Sequence, residues 1–202
     1  VELVLRFAAL FHASYLNYTS PMHRFLNKDM IKYENINEED EKELVAAFRN
    51  AVQIIKSLFG RHAFRRFYKG NRKNPDGMWE ATTFSASIYD VVMYSFARAD
   101  KQSVYRHLDE IREAFLYRMT ADDAFIETIE RGTSNKVMIT RRFDIWRRQL
   151  EEILSTSNQK NPRCFPHELK TQLFEQNNTC GICNQRIQTI DDAALDHIEQ
   201  YW

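Results

Sequence analysis

Glycine and proline are scarce in this chain, which limits the folds that it can adopt. Its 202 residues include five glycines and four prolines, too few for the many tight turns of an all-β protein. No apolar run approaches the roughly 18 residues that a membrane-spanning helix needs. The three cysteines do not form the framework of a disulfide-rich secreted protein. We therefore expect a protein of a reducing compartment, the cytoplasm.

The chain also has no excess of either charge. Its 28 basic and 28 acidic residues give a formal charge of zero, which excludes a globally basic nucleic-acid-binding protein. Any contact with DNA has to come from local clusters of basic residues. Hydrophobic residues make up 44% and aromatic residues 13% of the chain, enough to fill a core. A chain of this length forms one domain, or one domain with a small appendage.

Apolar residues recur with helical spacing from residue 1 to about residue 155. One long helix is predicted after Asn37, which resembles an N-cap, and Gly60 is expected to end it. Another is expected after Ser20-Pro21, with the proline at its first position. The first of these helices is predicted to bury Leu44, Val45, Phe48, Val52, Ile55, Leu58 and Phe59; the second, Met22, Phe25, Leu26 and Met30. The clearest stripe consists of Ile139, Phe143, Trp146, Leu150 and Ile153.

These patterns predict a mainly α protein with a bundle of about seven helices. Residues 70–78, rich in Gly, Asn, Pro and Asp, give the strongest loop signal. We expect a helical domain over residues 1–155, a polar linker over residues 156–163, and a second segment over residues 164–202. The chain begins inside a helix-like pattern without an initiator Met, so we expect it to be part of a longer protein.

The second segment contains a Cys-x-x-Cys pair, Cys180 and Cys183, separated by Gly181-Ile182. A tight turn can direct two such thiolates at one ion, about 2.3 Å from each sulfur of a zinc site. A structural zinc site needs four ligands, and no second cysteine pair follows. Three interpretations of Cys180 and Cys183 remain open: a zinc clip, a redox-active dithiol and two incidental cysteines. Cys164 lies apart and is expected to be a packed thiol rather than a third ligand.

Asp196 and His197 follow twelve residues later, on a short apolar segment that is typical of a strand. Neighbouring residues of a strand point to opposite faces. An Asp can hold Mg²⁺ through oxygen, and a His can accept a proton near neutral pH. Hydrolysis of a phosphodiester needs both a metal ion and a base. In isolation the dipeptide would be an ordinary surface pair, but its position after a Cys-x-x-Cys favours the catalytic interpretation.

Residues 164–202 resemble the N-terminal half of a cysteine-containing HNH endonuclease domain, a ββα-metal finger. The resemblance implies that Asp196 binds a catalytic Mg²⁺ or Mn²⁺ ion and that His197 is the general base. It also implies that Cys180 and Cys183 are the first pair of ligands of a structural Zn²⁺. The family's second cysteine pair, its motif Asn and its closing metal-binding His have no counterpart in this sequence, so the fragment by itself is expected to be inactive.

The helical region is similar to that of GmrSD-type restriction and phage-defence proteins. The similarity rests mainly on residues 2–10 and 22–30, together with the segment from Gly60 to Arg65. In such bacterial proteins this region follows a ParB-like nucleotide-hydrolysing domain and often precedes an HNH nuclease. The resemblance therefore implies a ParB-like domain in the same polypeptide as a partner, and DNA as the substrate.

Two basic clusters are candidates for phosphate contact. The first spans residues 61–73, which contain six basic residues and no acid; the second surrounds Trp146. The residues proposed to bind DNA are Arg61, Arg65, Arg66, Arg141 and Arg142. The alternative is a solvated helix face with some salt bridges. The sequence thus predicts part of a bacterial DNA endonuclease; the competing interpretation is a non-catalytic helical module with a zinc ribbon that binds DNA or protein.

Overall fold

A computed structural model of the chain describes residues 1–155, 167–179 and 185–190. Its contacts divide the chain into two units, Val1–Thr156 and Ser157–Trp202. The predicted linker, residues 156–163, lies outside the described residues. The described helices are α1 (Glu2–Ala13), α2 (Met22–Lys32), α3 (Glu38–Phe59), α4 (Ala86–Ala97), α5 (Lys101–Arg106), α6 (Leu108–Thr120), α7 (Asp123–Glu130), α8 (Lys136–Ser155) and α9 (His167–Gln176). The mainly α prediction is therefore confirmed.

Helix ends follow the chemistry of their capping residues. Asn37 is the predicted N-cap of α3, and its side-chain oxygen accepts a hydrogen bond of 2.9 Å from the backbone N–H of Asp40. Gly60 ends the same helix with φ of 51°, a backbone conformation in which glycine carries little strain. Pro21 is the N-cap of α2 and not its first helical residue, so the expected start was one position early.

The buried face of α3 differs from the predicted one. Val45 and Val52 are 39% and 40% exposed, whereas Ala47, Ala51 and Ile54 are buried. Helix α3, which carries these alanines, packs more extensively against α4 than against any other described element. Small side chains let two helices approach closely, so packing favoured the alanine stripe over the bulkier valines. On α2, Met30 is likewise exposed, at 48%.

The apolar stripe of α8 was predicted correctly, since Ile139, Phe143, Trp146, Leu150 and Ile153 are all buried. Aromatic rings pack on both sides of this helix. Phe143 stacks on Tyr15 with centroids 4.6 Å apart, and Trp146 meets Phe115 edge to face at 4.7 Å. Helix α8 therefore buries one face in the core of the first unit.

The predicted loop at residues 70–78 is the tip of a small hairpin. Strands β1 (Phe67–Tyr68) and β2 (Met78–Trp79) pair antiparallel, with Phe67 opposite Trp79 and Tyr68 opposite Met78. Strand β1 contacts α6, and Phe67 and Trp79 pack against the core. The hairpin thus projects a loop from a fixed base. Among the described helices, none is long and apolar enough to cross a membrane.

Candidate nucleic-acid interface and finger segment

The chain on both sides of the Cys-x-x-Cys is held in an antiparallel pair. Helix α9 is followed by Thr179, which forms an isolated bridge with Arg186. The backbone N–H of Ile187 donates a hydrogen bond of 2.7 Å to the carbonyl of Asn178. On the helix side, the backbone N–H of Thr179 donates to the side chain of Asn177 at 2.9 Å. Residues 178–179 are therefore paired with residues 186–187, on the two sides of the segment that contains the cysteines.

The predicted metal ligands and the predicted base, Cys180, Cys183, Asp196 and His197, lie outside the described residues, as does Cys164. In residues 1–155, 167–179 and 185–190, no group of three or more His, Cys, Asp or Glu side chains is placed to hold a metal ion. The chemistry predicted for the finger thus depends on residues flanked by the antiparallel pair or C-terminal to it.

The first basic cluster separates into two groups with different surroundings. Arg65 is partly buried and donates hydrogen bonds to the backbone carbonyls of Glu80, at 3.1 Å, and of Ala81. The guanidinium of Arg66 donates to the carbonyl of Met119 and lies 3.2 Å from the carboxylate of Glu130. These two arginines attach the hairpin to its surroundings.

Burial lowers the pKa of Arg66, and the contact with Glu130 opposes that shift. The side chain of Arg66 is only 11% exposed. Arg61, in contrast, is exposed, and its Nε donates a hydrogen bond of 3.2 Å to the ring of His62. Of the three arginines that were predicted in this cluster, Arg61 presents the most accessible charge.

His62 lies at the base of the hairpin, close to several arginines. Its ring stacks on the indole of Trp79, with centroids 4.9 Å apart and an interplanar angle of 12°. Burial and the positive charges of Arg61 and Arg65 lower the pKa of His62. Burial is the larger cause, and the arginine charges add to it.

The second basic cluster does not form a single surface either. Arg141 is 43% exposed and pairs with Glu127 at 3.1 Å. Arg142 has no exposed surface, and its Nη1 donates a hydrogen bond of 2.7 Å to the carbonyl of Thr128. A guanidinium in the core cannot contact a phosphate, so the prediction that Arg142 binds DNA is wrong. The side chain of Arg142 lies on the buried face of α8. Because arginine is charged, the sequence predicted an exposed position instead.

Arg142 belongs to a buried charge cluster that the sequence did not reveal. Asp90 on α4 accepts hydrogen bonds from Nε and Nη2 of Arg6 on α1, at 2.9 and 2.5 Å. Arg142 on α8 lies 4.0 Å from the same carboxylate. Burial raises the pKa of Asp90, and the bonds from Arg6 oppose that shift. Burial also lowers the pKa of Arg142 to about 10.

A cavity of about 420 Å³ lies in the first unit, next to this cluster of helices. Its aromatic lining includes Tyr15, Tyr94 and Phe143, whose ring centroids are 4.6 to 5.5 Å apart. Arg98 and Arg147 also line it, and each is paired with a glutamate. Among the described residues, none of the five arginines proposed to bind DNA lines this cavity, and we assign no chemistry to it.

His12 and Asp29 are a second contact between ionisable side chains in the first unit, and they are a candidate for a functional site. Their side chains are 3.1 Å apart, beside a cavity of about 280 Å³, and the ring of His12 stacks on Tyr33 at 3.8 Å. His12 lies in the last turn of α1. The pair joins α1 to α2 and is best explained as a structural contact.

Comparisons of the chain with protein families, with curated proteins and with solved structures find no match. The functional argument therefore depends on the residues themselves.

Proposed function

We propose that the protein is a bacterial DNA endonuclease of the restriction or antiphage type, in which residues 164–202 begin an HNH, or ββα-metal, finger. Cys180 and Cys183 supply two ligands of a structural Zn²⁺, and Asp196 is a ligand of the catalytic divalent metal ion. His197 is the general base. The two cysteines are two of the four ligands that a structural zinc site needs. A ParB-like domain in the same cytoplasmic polypeptide belongs to the same proposal.

The observation that carries the proposal is the antiparallel pairing around the cysteines. Thr179 and Arg186 face each other across a connection of six residues, which contains Cys180 and Cys183. Two thiolates that bind one ion must lie on a connection that reverses direction sharply, because both sulfurs lie about 2.3 Å from the metal. A pair of antiparallel arms at this position supports a metal clip over two incidental cysteines.

A redox-active dithiol is less compatible with these surroundings. Redox Cys-x-x-Cys motifs occur at the start of a helix in a βαβ unit. Here the motif follows helix α9 and lies between Thr179 and Arg186, which form an antiparallel bridge. The local structure therefore supports a ligand role for the two thiolates.

The catalytic part of the proposal assigns one step to each residue. His197 takes a proton from water, the resulting hydroxide attacks phosphorus, and the bond from phosphorus to the leaving oxygen breaks. Asp196 would hold a divalent ion, which when bound would stabilise the charge on the phosphate and on the leaving oxygen. Asp196 and His197 are adjacent, so a strand would direct their side chains to opposite faces. The two functions would then not compete for the same position.

A second candidate function is a non-catalytic module that binds DNA through the helical unit and a zinc ribbon. The exposed basic residues at the hairpin favour DNA binding, and they do so without requiring cleavage. The two candidates differ in whether the intact protein breaks phosphodiester bonds.

The experiment is a cleavage assay with the intact protein on plasmid DNA and phage genomic DNA, with Mg²⁺ or Mn²⁺ and with chelator. The nuclease proposal predicts metal-dependent nicks or breaks that chelator prevents. The binding-module alternative predicts retention of DNA in a gel-shift assay with no cleavage under any metal condition. The exposed His23 offers a matched control, since His23→Ala should cut like the wild type.

A further inference from the structure

We propose that the tip of the β1–β2 hairpin, residues 69–77, is the main phosphate-contacting element of the helical unit and that its partner is the backbone of DNA. Within this cluster, the sequence placed these contacts on Arg61, Arg65 and Arg66. Arg65 and Arg66 are partly buried and bonded to their surroundings, so the accessible charge lies on Arg61 and on the loop. This inference rests on the proposed function, because it requires DNA as the partner.

The first argument is the accessibility of the charges. Lys69, Arg72 and Lys73 are exposed, as is every residue from 68 to 76. None of the three forms an ion pair with another described residue, whereas Arg66 and Arg141 do. Cations without a carboxylate partner keep their full charge available to phosphates. Asp76 is the single acid in the loop.

The second argument is the fixed shape of the loop. The side chain of Asn71 accepts hydrogen bonds from the backbone N–H groups of Lys73, at 2.9 Å, and Asn74, at 3.1 Å. The backbone N–H of Asn71 donates to the carbonyl of Asn74 at 2.9 Å. A Cβ atom at position 70 would collide with the carbonyl oxygen of Pro75, so glycine is needed for this close approach. A loop ordered in advance loses less entropy when it binds.

The third argument is the anchoring of the hairpin base. Arg65 and Arg66 fasten it through backbone carbonyls of the segment after β2 and of α6. In addition, the guanidinium of Arg66 lies over the ring of Tyr68, 5.4 Å from its centroid. These arginines therefore position the loop, and the loop presents the charge.

The surroundings of the hairpin extend the same positive field. Arg61 is exposed near its base, and its charge contributes to the lowered pKa of His62. On the strands, Tyr68 and Met78 are cross-strand partners with 42% and 44% of their surface exposed. Basic residues beside an exposed aromatic ring are suited to a nucleic-acid backbone, where sugars offer apolar surface between phosphates.

The test is the salt dependence of DNA binding by the intact protein and its Arg72→Ala/Lys73→Ala variant. The slope of log K against log salt is negative, and each lost phosphate contact reduces its magnitude by about 0.9. Two lost contacts therefore predict a slope that is shallower by about 1.8. At 0.1 M salt the same relation gives a loss of affinity of roughly 10- to 100-fold. The control is Arg24→Ala/Lys28→Ala, which removes two exposed cations from α2 and should keep the wild-type slope.

The outcomes separate this inference from the proposed function. A decreased slope in the hairpin variant alone supports the inference. A wild-type slope in the hairpin variant overturns the inference, and so does an equally shallow slope in the α2 control. In both cases, DNA cleavage by the wild-type protein would still support the nuclease proposal. A wild-type protein that neither binds nor cuts DNA overturns both. Equal thermal midpoints of the two variants ensure that the comparison concerns binding.

Discussion

Replacing Asp90 with alanine should destabilise the helical unit severely, because it removes the buried carboxylate that joins α1, α4 and α8. The side chain of Asp90 is 1% exposed, and those of Arg6 and Arg142 are 9% and 0% exposed. Two guanidiniums would then remain in the core without their shared counter-charge. Water cannot replace the carboxylate without opening the packing of the three helices.

The magnitude follows from the cost of leaving buried charges unpaired. Removing one partner of a buried ion pair costs about 3 to 5 kcal/mol. The value for Asp90→Ala should lie in the upper part of that range, because the carboxylate faces two cations. Arg142 already carries a cost of burial, which lowers its pKa to about 10. It also has two guanidinium nitrogens, Nε and Nη2, without a hydrogen-bond partner.

Urea unfolding followed by circular dichroism measures this change. With a slope of about 2 kcal/mol per molar urea, a loss of about 4 to 5 kcal/mol should lower the midpoint by roughly 2 to 2.5 M. Asp76→Ala, at an exposed position of the hairpin loop, is the control and should change stability by less than about 0.5 kcal/mol. A loss below about 1 kcal/mol for Asp90→Ala would refute the argument that this carboxylate compensates both arginines.

Three further predictions concern the finger, the hairpin and a helix end. The intact protein should carry about one equivalent of structural zinc, and Cys180→Ser/Cys183→Ser should lose it together with the order of the finger; metal analysis that finds no zinc in the wild type would exclude the clip. The pKa of His62, measured by NMR titration, should lie below the ordinary value of about 6.5, and bound phosphates should raise it, because they offset the nearby arginines. With a lowered pKa, His62 favours folding most when it is neutral, so its contribution to stability should decline as pH falls below about 6.5; an unshifted pKa would contradict the positive field. Asn37→Ala should cost about 1 kcal/mol and Asn37→Gly only a few tenths, by thermal or urea unfolding, and equal losses would argue against the side-chain cap.

The sequence predicted helices well where local chemistry decides them. The cap at Asn37, the stop at Gly60 and the α8 stripe from Ile139 to Ile153 all depend on residues close in sequence. The buried face of α3 was predicted wrongly, because periodicity ranks Val52 above Ala51. Packing against α4 gave the opposite order, and only the tertiary structure contains that information.

The basic residues show the same limit at the candidate site. A run of arginines does not reveal which guanidiniums face solvent. Arg66 bonds to a carbonyl 53 residues away in sequence, and Arg6 reaches Asp90 across 84 residues. Such long-range partners have no local signature. The loop signal at residues 70–78 was strong, but the two-residue strands on either side of it were too short to predict.

The measurement that tests the nuclease proposal most directly compares His197→Ala with Asp196→Ala in a plasmid-nicking assay on the intact protein. Loss of the general base should abolish cleavage at every metal concentration while DNA binding persists, because a base acts on the transition state. Loss of the metal ligand should also abolish cleavage, but high Mg²⁺ or Mn²⁺ should restore part of it. Near wild-type cleavage by His197→Ala would contradict the assignment of the HNH finger.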